Sequence, residues 1–596
     1  MDIVKFFTDE SYLPSAISEY RPRSGQIEAA KIIADSFENY KNAVIEAPTG
    51  SGKTMAYLIP AFTSDGKVVI STKTKQLMQQ IMLKDVPTVT QILGSNRSVE
   101  QLKGRKNYFC PYRFYRHILP NASLYPDAVA WFEKESLYNI SEAPWGKLDA
   151  DVCNLMTADR FQCKVSKCPE FGNCPFYIQR EKANNAHVLI TNHHLFLSDM
   201  SLKASNLQGV FDFRDYAVFD EAHSLPDIYA QYAGEELSLF SVIMFFRENK
   251  EYFGPADMDG ISSKYFAITN SMKDGKVLYN TISNQVQDFI ESGELLVSKT
   301  NIDDLKEEYN RYINCMKAID CDKEGVKIAE KNEHRIIVKF IPLEFGDSFS
   351  EGLKQSVISS VFVSATITSG GSFDYFLSEI GLNTDNTQTV ALPPSFDFKK
   401  QAKLFIPSEK ECAEKNSVYV NLIKNIKGSV LIICNSTERM RQVAEMLLST
   451  GINKKVILQT EANLYGNEAV KNVVLVGCAL LREGVDLSGL DFRCVILDKL
   501  PFEYPKDFYI ESKGKKIERE KGNAFMNFNL PRAVVYFKQA VGRLIRHEED
   551  TGLWVIFDRR ILSQKYGKNF LNVLNNVEIL NNINDALNFI NGGVYE

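Results

Sequence analysis

The sequence contains no apolar run long enough to cross a membrane. Runs such as Val357–Val363 and Val430–Cys434 are far shorter than the roughly 18 residues that a membrane span needs. The first residues, MDIVKFFTDESYLPS, mix both signs of charge and lack the basic region and apolar core of a secretory signal. We therefore expect a cytoplasmic protein with no membrane partner.

Positive charge is not in excess either. The 69 Lys and Arg residues are outnumbered by 75 Asp and Glu residues, which gives a formal net charge of −6. This total neither indicates nor excludes binding to nucleic acid, because a local patch of basic side chains governs contact with phosphates. Internal repeats, low-complexity tracts and long linkers are absent from the sequence. The 596 residues exceed what one hydrophobic core supports and indicate about three to four domains.

Short apolar runs with the composition of β-strands form two sets that are separated by helical stretches. The first set is Asn42–Pro48, Lys67–Thr72, His187–Thr191, Tyr216–Asp220 and Ile358–Ser364, and the second is Val430–Asn435, Asn472–Gly477, Cys494–Lys499 and Leu553–Asp558. Continuous apolar strands of this kind form parallel sheets covered on both faces, so the two sets predict two α/β domains. Active groups are then expected at the carboxyl ends of the strands.

Two segments without this pattern interrupt the first α/β domain. Residues 95–185 are rich in cysteine, aromatic and basic residues, and residues 233–345 have helical periodicity. The predicted division is therefore 1–94, 186–232 and 346–395 for the first α/β domain, 95–185 for a cysteine-rich insertion, 233–345 for a helical insertion, and 396–596 for the second α/β domain.

A phosphate loop, APTGSGKT, lies between a predicted strand and a predicted helix. Glycines let the backbone curl so that successive N–H groups point at phosphate oxygens, and the following helix adds its positive N-terminal end. Lys53 would reach the β- and γ-phosphates, and the hydroxyl of Thr54 would bind Mg²⁺. The loop therefore predicts a site for ATP and Mg²⁺. The residues that would surround the phosphates are Thr49, Gly50, Ser51 and Gly52.

The run YAVFDEAHSLP places two adjacent carboxylates at the end of an apolar strand, about 170 residues after the phosphate loop. Asp220 suits Mg²⁺, directly or through water, and Glu221 suits a base that orients the attacking water. His223 would link the state of the nucleotide to neighbouring segments. At this position in the chain, the DEAH run predicts the hydrolytic half of an ATP site.

Near the C-terminus, QAVGRLIR places Gln539, Arg543 and Arg546 at spacings of 0, 4 and 7 residues, which would bring them to one helical face. Two guanidiniums in a different domain from the phosphate loop suit arginine fingers, which stabilise the charge of a transferring phosphoryl group. The alternative is a solvated basic helix face.

The ordered motifs RPRSGQ, APTGSGKT, STKTKQ, DEAH, VSAT, LREGVDLSG and QAVGRLIR, from about residue 20 to 560, resemble those of superfamily 2 helicases. The resemblance implies an α/β fold with two RecA-like parallel-sheet motor domains. It further implies that Gln26 contacts adenine and that Ser364 and Thr366 couple hydrolysis to movement. Asp486 would lie at the cleft between the domains.

Five of the eleven cysteines fall within the first insertion, and four of them, Cys110, Cys163, Cys168 and Cys174, are candidates for a shared site. A disulfide framework is not expected in the cytoplasm, so the four thiols indicate a metal site. Structural zinc usually takes tighter spacings, whereas iron–sulfur clusters accept wider and less regular ones; from the residues alone, zinc stays open. Cys153 lies nearby but outside this spacing.

The cysteine spacing, with GCALLREGVDLSG and ILDKLPFEYP, is similar to the DinG branch of the XPD/DinG helicases. This resemblance implies a [4Fe–4S] cluster at the four cysteines, with a structural role first. It also implies that the cluster domain and the helical insertion frame a pore and that the strand is tracked 5′ to 3′.

Residues 103–117, KGRKNYFCPYRFYRH, interleave basic and aromatic side chains. Basic groups neutralise phosphates and aromatic faces stack on unpaired bases, so this segment suits a single strand of DNA. The alternative is that the aromatic rings simply pack inside a small cluster domain. The candidate contacts are Arg105, Tyr108, Arg113 and Arg116, together with Lys73 and Lys75 of STKTKQ.

These features predict an ATP-dependent DNA helicase that acts on single-stranded DNA and on duplexes with a 5′ overhang, in DNA repair or replication. The alternative is a DNA-stimulated ATPase that clamps or remodels nucleic acid without unwinding it. We expect a monomer that could dock a protein partner through residues 233–345. Only 25 residues precede Gln26, so no exonuclease domain is expected ahead of the motor.

Overall fold

In the computed structural model, the chain forms two parallel sheets of seven strands each and one antiparallel sheet of four strands. The structure describes residues 2–17, 20–135, 142–204, 207–394, 396–459, 472–478, 492–545, 547, 549–575 and 577–592. Every helix among these residues is too short or too polar to span a lipid bilayer.

The first parallel sheet confirms the first predicted α/β domain. Its inner strands are fully or largely buried and are covered by apolar residues on both faces, whereas its two edge strands are partly buried. Their spatial order is Thr387–Ala391, Asn42–Glu46, Val357–Ser364, Arg214–Asp220, Val68–Thr72, Val188–Asn192 and Val99–Gln101. The principal helices of this domain are Ser24–Glu38, Lys53–Thr63, His193–Ala204, Leu225–Tyr232 and Gly346–Ser356.

The second parallel sheet confirms the second predicted α/β domain. It also packs apolar residues on both faces. Its spatial order is Lys455–Leu458, Val473–Gly477, Ser429–Ile433, Phe492–Leu497, Gly552–Ile556, Ala402–Phe405 and Ile579–Leu580. The principal helices are Lys415–Asn425, Thr437–Ser449, Phe508–Arg519, Leu530–Val541 and Ile583–Ile590.

The cysteine-rich insertion leaves and rejoins the first sheet at one edge. Val99–Gln101 pairs in parallel with Val188–Asn192, with Val99 opposite Val188, and the Leu102 N–H donates to the Ile190 carbonyl over 3.0 Å. Between these strands the described chain is poor in regular structure and has only a small apolar cluster around Phe109 and Phe114. Its helices of six residues or more are Pro126–Lys134, Ala150–Leu155 and Pro175–Asn185.

The second insertion contains helices, as predicted, and also a sheet that the sequence analysis did not predict. Four helices pack on an antiparallel sheet around one apolar core. The strands Gly325–Asn332 and Arg335–Pro342 form an antiparallel hairpin. Glu333, in the turn between them, has the left-handed conformation at φ 54°. The other strands are Glu235–Ser238 and Gly275–Leu278, and the helices are Leu239–Glu248, Pro255–Ser271, Ser283–Ser298 and Asp303–Ile319.

Candidate nucleotide, cluster and nucleic-acid sites

The phosphate loop lies where the sequence predicts it, between the strand Asn42–Glu46 and the helix Lys53–Thr63. Gly50 and Gly52 have φ values of 74° and 79°, a conformation that L side chains rarely adopt. A Cβ atom on Gly52 would also lie 2.2 Å from Nε2 of Gln26. The ammonium of Lys53 donates to the Ala47 carbonyl over 3.2 Å and to the Pro48 carbonyl over 3.4 Å, which folds it over the loop.

Gln26 is buried directly behind the loop, at 3% exposure. Its Nε2 donates to the Gly52 carbonyl over 2.9 Å, and its Oε1 accepts from the Tyr20 hydroxyl over 2.7 Å. Both ends of the amide are therefore used within the protein, and contact between Gln26 and adenine stays a prediction. The sequence analysis did not identify Tyr20, whose hydroxyl fixes the orientation of this amide.

Asp220 and Glu221 lie at the end of a buried strand of the first sheet. Burial, together with the neighbouring charge of Glu221, raises the pKa of Asp220 to about 7, and its Oδ2 accepts from the Tyr57 hydroxyl over 3.2 Å. A bound Mg²⁺ would favour the ionised form of this carboxyl and oppose that rise. Burial also acts to raise the pKa of Glu221, but the hydrogen bond and charge of His223 and the charge of Lys53 outweigh it, so this pKa lies well below its ordinary value.

A chain of polar contacts joins the DEAH segment to the second domain. Nδ1 of His223 lies 2.7 Å from Oγ of Ser364 and 3.3 Å from Oε2 of Glu221. Oγ of Ser364 accepts from the Thr366 N–H over 3.3 Å, and Oγ1 of Thr366 accepts from the Gln539 amide over 3.4 Å. Ser364 and Thr366 therefore lie between the Glu221 carboxylate and Gln539 of the other domain.

Gln539 lies in the helix Leu530–Val541, but this helix ends before Arg543. Arg543 follows Gly542 in a turn, where its N–H donates to the Ala540 carbonyl over 3.4 Å. The prediction that Gln539 and Arg543 share one helical face is therefore wrong, because the helix stops at Val541. Arg546 and Asp486 lie outside the described residues.

Two charged contacts between the α/β domains were not predicted from the sequence. Lys538 lies 2.9 Å from Oε1 of Glu46. The guanidinium of Arg532 is 2.7 Å from Asp227 in the first domain and 2.6 Å from Glu503 in its own domain. Lys538 and Glu46 are 492 positions apart in the chain, so no local sequence pattern could have revealed their contact.

The four predicted cluster cysteines, Cys110, Cys163, Cys168 and Cys174, line one cavity with apolar and aromatic walls. Burial raises the pKa of the Cys110 thiol to about 12, and the charges of Cys174 and Cys168 act in the same direction, so these thiols are close enough to influence one another. Cys153 is fully buried elsewhere, where its thiol donates to the Pro144 carbonyl over 3.5 Å.

The described residues contain no group of three or more His, Cys, Asp or Glu side chains arranged to hold a single metal ion. The four thiols instead surround a shared space. Four thiolates are the ligand set of a [4Fe–4S] cluster, and they are also a ligand set of structural zinc.

Arg113 and Tyr108 are buried, at 4% exposure each. Both terminal nitrogens of Arg113 donate to the Glu248 carboxylate, over 2.9 and 2.8 Å. The Tyr108 hydroxyl accepts from the Lys103 N–H over 3.1 Å. Both residues pack within the protein, as the alternative interpretation expects, and their contact with DNA stays a prediction. Arg116 donates to the Asn249 side chain over 2.7 Å and likewise joins the two insertions.

Lys75 and Arg105 line a cleft of about 710 Å³ between the first α/β domain and the two insertions. Arg105 also stacks over the ring of Phe176 at 5.1 Å. The hydrogen bond and charge of His223 and the charge of Lys53 lower the pKa of Glu221, and the charge of Lys73 adds to this effect. The other charged residues that line the cleft are Lys106, Arg160, Asp159, Glu235 and Glu236, and its neutral polar residues include Asn192, His194 and Tyr232.

Comparison with known proteins agrees with this arrangement. Residues 23–101 match the DEAD/DEAH box helicase family, residues 145–241 match DEAD_2, and residues 419–577 match the helicase C-terminal domain. The chain is 30% identical to the ATP-dependent DNA helicase YoaA of Escherichia coli (strain K12), over 95% of each chain. It is 29% identical to the YoaA of Haemophilus influenzae, over 99% of each chain.

A solved structure titled XPD_Helicase has the same fold, with a TM-score of 0.60 at 17% identity, over 94% of this chain and all of the other. Two RecA-like domains, a phosphate loop and a DEAH segment define the class as a superfamily 2 helicase. Within that class, the chain belongs to the XPD/DinG family.

Proposed function

We propose that this protein is an ATP-dependent DNA helicase that moves along single-stranded DNA, 5′ to 3′, and unwinds duplexes with a 5′ overhang during repair or replication. The observation that carries the proposal is the contact path from Glu221 through His223, Ser364 and Thr366 to Gln539. A hydrolytic carboxylate connected to the opposite domain is what a motor needs to convert hydrolysis into domain movement.

The roles of the nucleotide-site residues follow from their positions. Lys53 would exchange its carbonyl contacts for the β- and γ-phosphates, and Thr54 with Asp220 would hold Mg²⁺. Glu221, which stays ionised, would orient the attacking water. Arg543 and Arg546 from the second domain would stabilise the developing charge on the γ-phosphoryl group. Closure of the cleft would then be coupled to hydrolysis.

The four thiols that line one cavity support a [4Fe–4S] cluster held by Cys110, Cys163, Cys168 and Cys174. A bound cluster would supply four metal–thiolate bonds that cross-link a domain with little apolar core. The surrounding chain is already tied to the other insertion. Arg311 donates to the Phe161 carbonyl over 2.9 Å and to the Cys163 carbonyl over 3.1 Å.

The polar cleft supports a path for single-stranded DNA between the cluster domain and the second insertion. Lys75, Arg105, Lys106 and Arg160 would contact phosphates, and Tyr232 would offer an aromatic face to a base. Such contacts are indifferent to sequence. We further propose that the protein is a monomer and that the second insertion provides the surface for a protein partner.

The rival function, a DNA-stimulated ATPase that clamps nucleic acid without unwinding it, uses the same ATP site. Anaerobically purified protein should contain iron and absorb visible light, hydrolyse ATP faster with single-stranded DNA, and separate a duplex that carries a 5′ overhang. A duplex with a 3′ overhang and the variant K53A are the controls. Hydrolysis without strand separation on any substrate would favour the clamp, and separation from the 3′ overhang alone would reverse the polarity.

A further inference from the structure

The helix Leu530–Val541, called here the cleft helix, is an element of the second domain that contacts the first domain close to the phosphate loop and the DEAH segment. Arg532, Lys538 and Gln539 of this helix all reach residues of the first domain. Arg543 lies five positions beyond Lys538. The placement of Arg543 relative to the phosphate loop therefore depends on how the cleft helix is held.

Glu46 is a junction for three segments. It ends the strand that leads into the phosphate loop, and its Oε2 accepts the N–H groups of Ile367 and Thr368, each over 2.6 Å. The ammonium of Lys538 donates to its Oε1 and Oε2 over 2.9 and 3.1 Å and to the Thr368 hydroxyl over 2.6 Å. One carboxylate thus binds the loop strand, the segment after Thr366 and the cleft helix.

This ion pair is largely removed from water, with side-chain exposures of 15% for Lys538 and 14% for Glu46. Charge-assisted hydrogen bonds are stronger in such surroundings than at an open surface. Within the described part of the chain, both polar partners of Lys538 belong to the first domain. Separation of the domains would leave its ammonium without them.

Arg532 behaves differently although it lies on the same helix. Its guanidinium binds Asp227 across the cleft, but it also binds Glu503 in its own domain through two nitrogens, over 2.6 and 3.0 Å. Domain separation would leave that second partner in place. The two contacts therefore respond differently to movement between the domains. Arg532 keeps a partner when the domains separate, whereas Lys538 favours one spacing because its partners lie in the first domain.

We propose that Lys538 and Glu46 form an electrostatic latch that sets the spacing of the two α/β domains and positions Arg543 at the nucleotide. Both are positioning residues, because they act through the cleft helix and the loop strand. The inference rests on the proposed function only for its catalytic consequence. The latch itself is a property of the domain interface and can be measured without ATP.

The test compares K538M, E46Q, the double variant and K538R with the wild type. The control is K400M, which removes an exposed lysine of the same domain that lies 3.2 Å from Asp397. In DNA-stimulated hydrolysis, K538M and E46Q should lower kcat about tenfold and leave KM for ATP within about twofold, because the phosphate loop is intact. K538R should restore most of kcat, and the double variant should be no slower than either single one.

Small-angle scattering of the same proteins without nucleotide gives the second readout. K538M and E46Q should have a larger radius of gyration than the wild type and K400M, since the contact that favours the observed spacing of the domains is lost. Wild-type kcat and radius in K538M, or additive losses in the double variant, would overturn the latch. A wild type without any ATPase activity would instead overturn the proposed function, while the scattering still decides on the latch.

Discussion

At the scale of single residues, Gly52 is the position of the phosphate loop that should tolerate substitution least. Two independent features oppose a side chain at Gly52. Its φ is 79°, and the Gln26 amide occupies the space that a Cβ atom would need. The variant G52A should weaken binding of a non-hydrolysable ATP analogue more than about tenfold, because the Gln26 amide must move and the loop with it. Isothermal titration calorimetry measures this loss.

Gly146 supplies a matched control for that change. It has nearly the same backbone conformation, with φ 78°, but a Cβ atom there would meet no atom within 4 Å. G146A should therefore cost only the left-handed backbone term of about 1–2 kcal/mol and leave nucleotide binding unchanged. Equal effects of the two variants on binding would refute the role of the Gln26 contact.

The residues of the basic segment show where sequence reasoning fails at this scale. A mixture of arginine and aromatic side chains is equally suited to bind a single strand and to pack a small domain. Arg113 packs inside the protein because it pairs with Glu248, which is 135 positions away in the chain. Arg105 belongs to the same segment but lines the cleft, where its guanidinium stacks over Phe176.

At the scale of elements, the Arg113–Glu248 pair joins the cluster domain to the helix Leu239–Glu248 of the other insertion. Side-chain exposures are 5% for Arg113 and 9% for Glu248. Removal of one partner from a buried pair costs about 3–5 kcal/mol, so R113M should lower the free energy of local opening around this helix by that amount. Hydrogen exchange of its amides measures the change.

Two further variants control the prediction. R335M breaks an exposed pair, Arg335–Asp151, that also connects the two insertions, with exposures of 51% and 74%; it should cost about 1 kcal/mol or less. The double variant R113M/E248M should recover much of the loss, because no charge is left buried without a partner. Similar losses for R113M and R335M would contradict this account of the interface.

Most inner strands of the sheets were predicted from the sequence, with Ala402–Phe405 as an exception, and the edge strands were not. Buried strands such as Val68–Thr72 and Arg214–Asp220 are continuous apolar runs, so their sequences are diagnostic. Edge strands such as Thr387–Ala391 and Lys455–Leu458 are only partly buried and lack that pattern. The site follows the same rule: motifs at the ends of central strands were predicted, and contacts between domains were not.

At the scale of the whole molecule, the four cysteines are expected to hold the cluster domain against both the first α/β domain and the second insertion. The variant C110S should lose most of its iron and visible absorbance. It should also expose residues 95–185 and 233–345 to limited proteolysis, because the Cys163 loop that Arg311 binds is no longer cross-linked. Both parallel sheets have their own cores, so binding of an ATP analogue should survive.

The variant C153S is the control, since Cys153 is buried but lies apart from the cavity of the other four thiols. It should retain iron and resist proteolysis like the wild type. Iron loss in C153S together with retention in C110S would reassign the fourth ligand. Protease resistance in an iron-free C110S would mean that the domain folds without its cross-link.

The attachment of the cluster domain to the first sheet has a mechanical consequence. Its outgoing strand, Val99–Gln101, and its returning strand, Val188–Asn192, run side by side at the rim of the first sheet, and the returning strand borders Val68–Thr72. A pulling force on this domain, as from a polymer under tension that passes beside it, would act along the length of these parallel strands. Several hydrogen bonds would then share the load in shear, and the strain would arrive beside the segment that begins with Lys73.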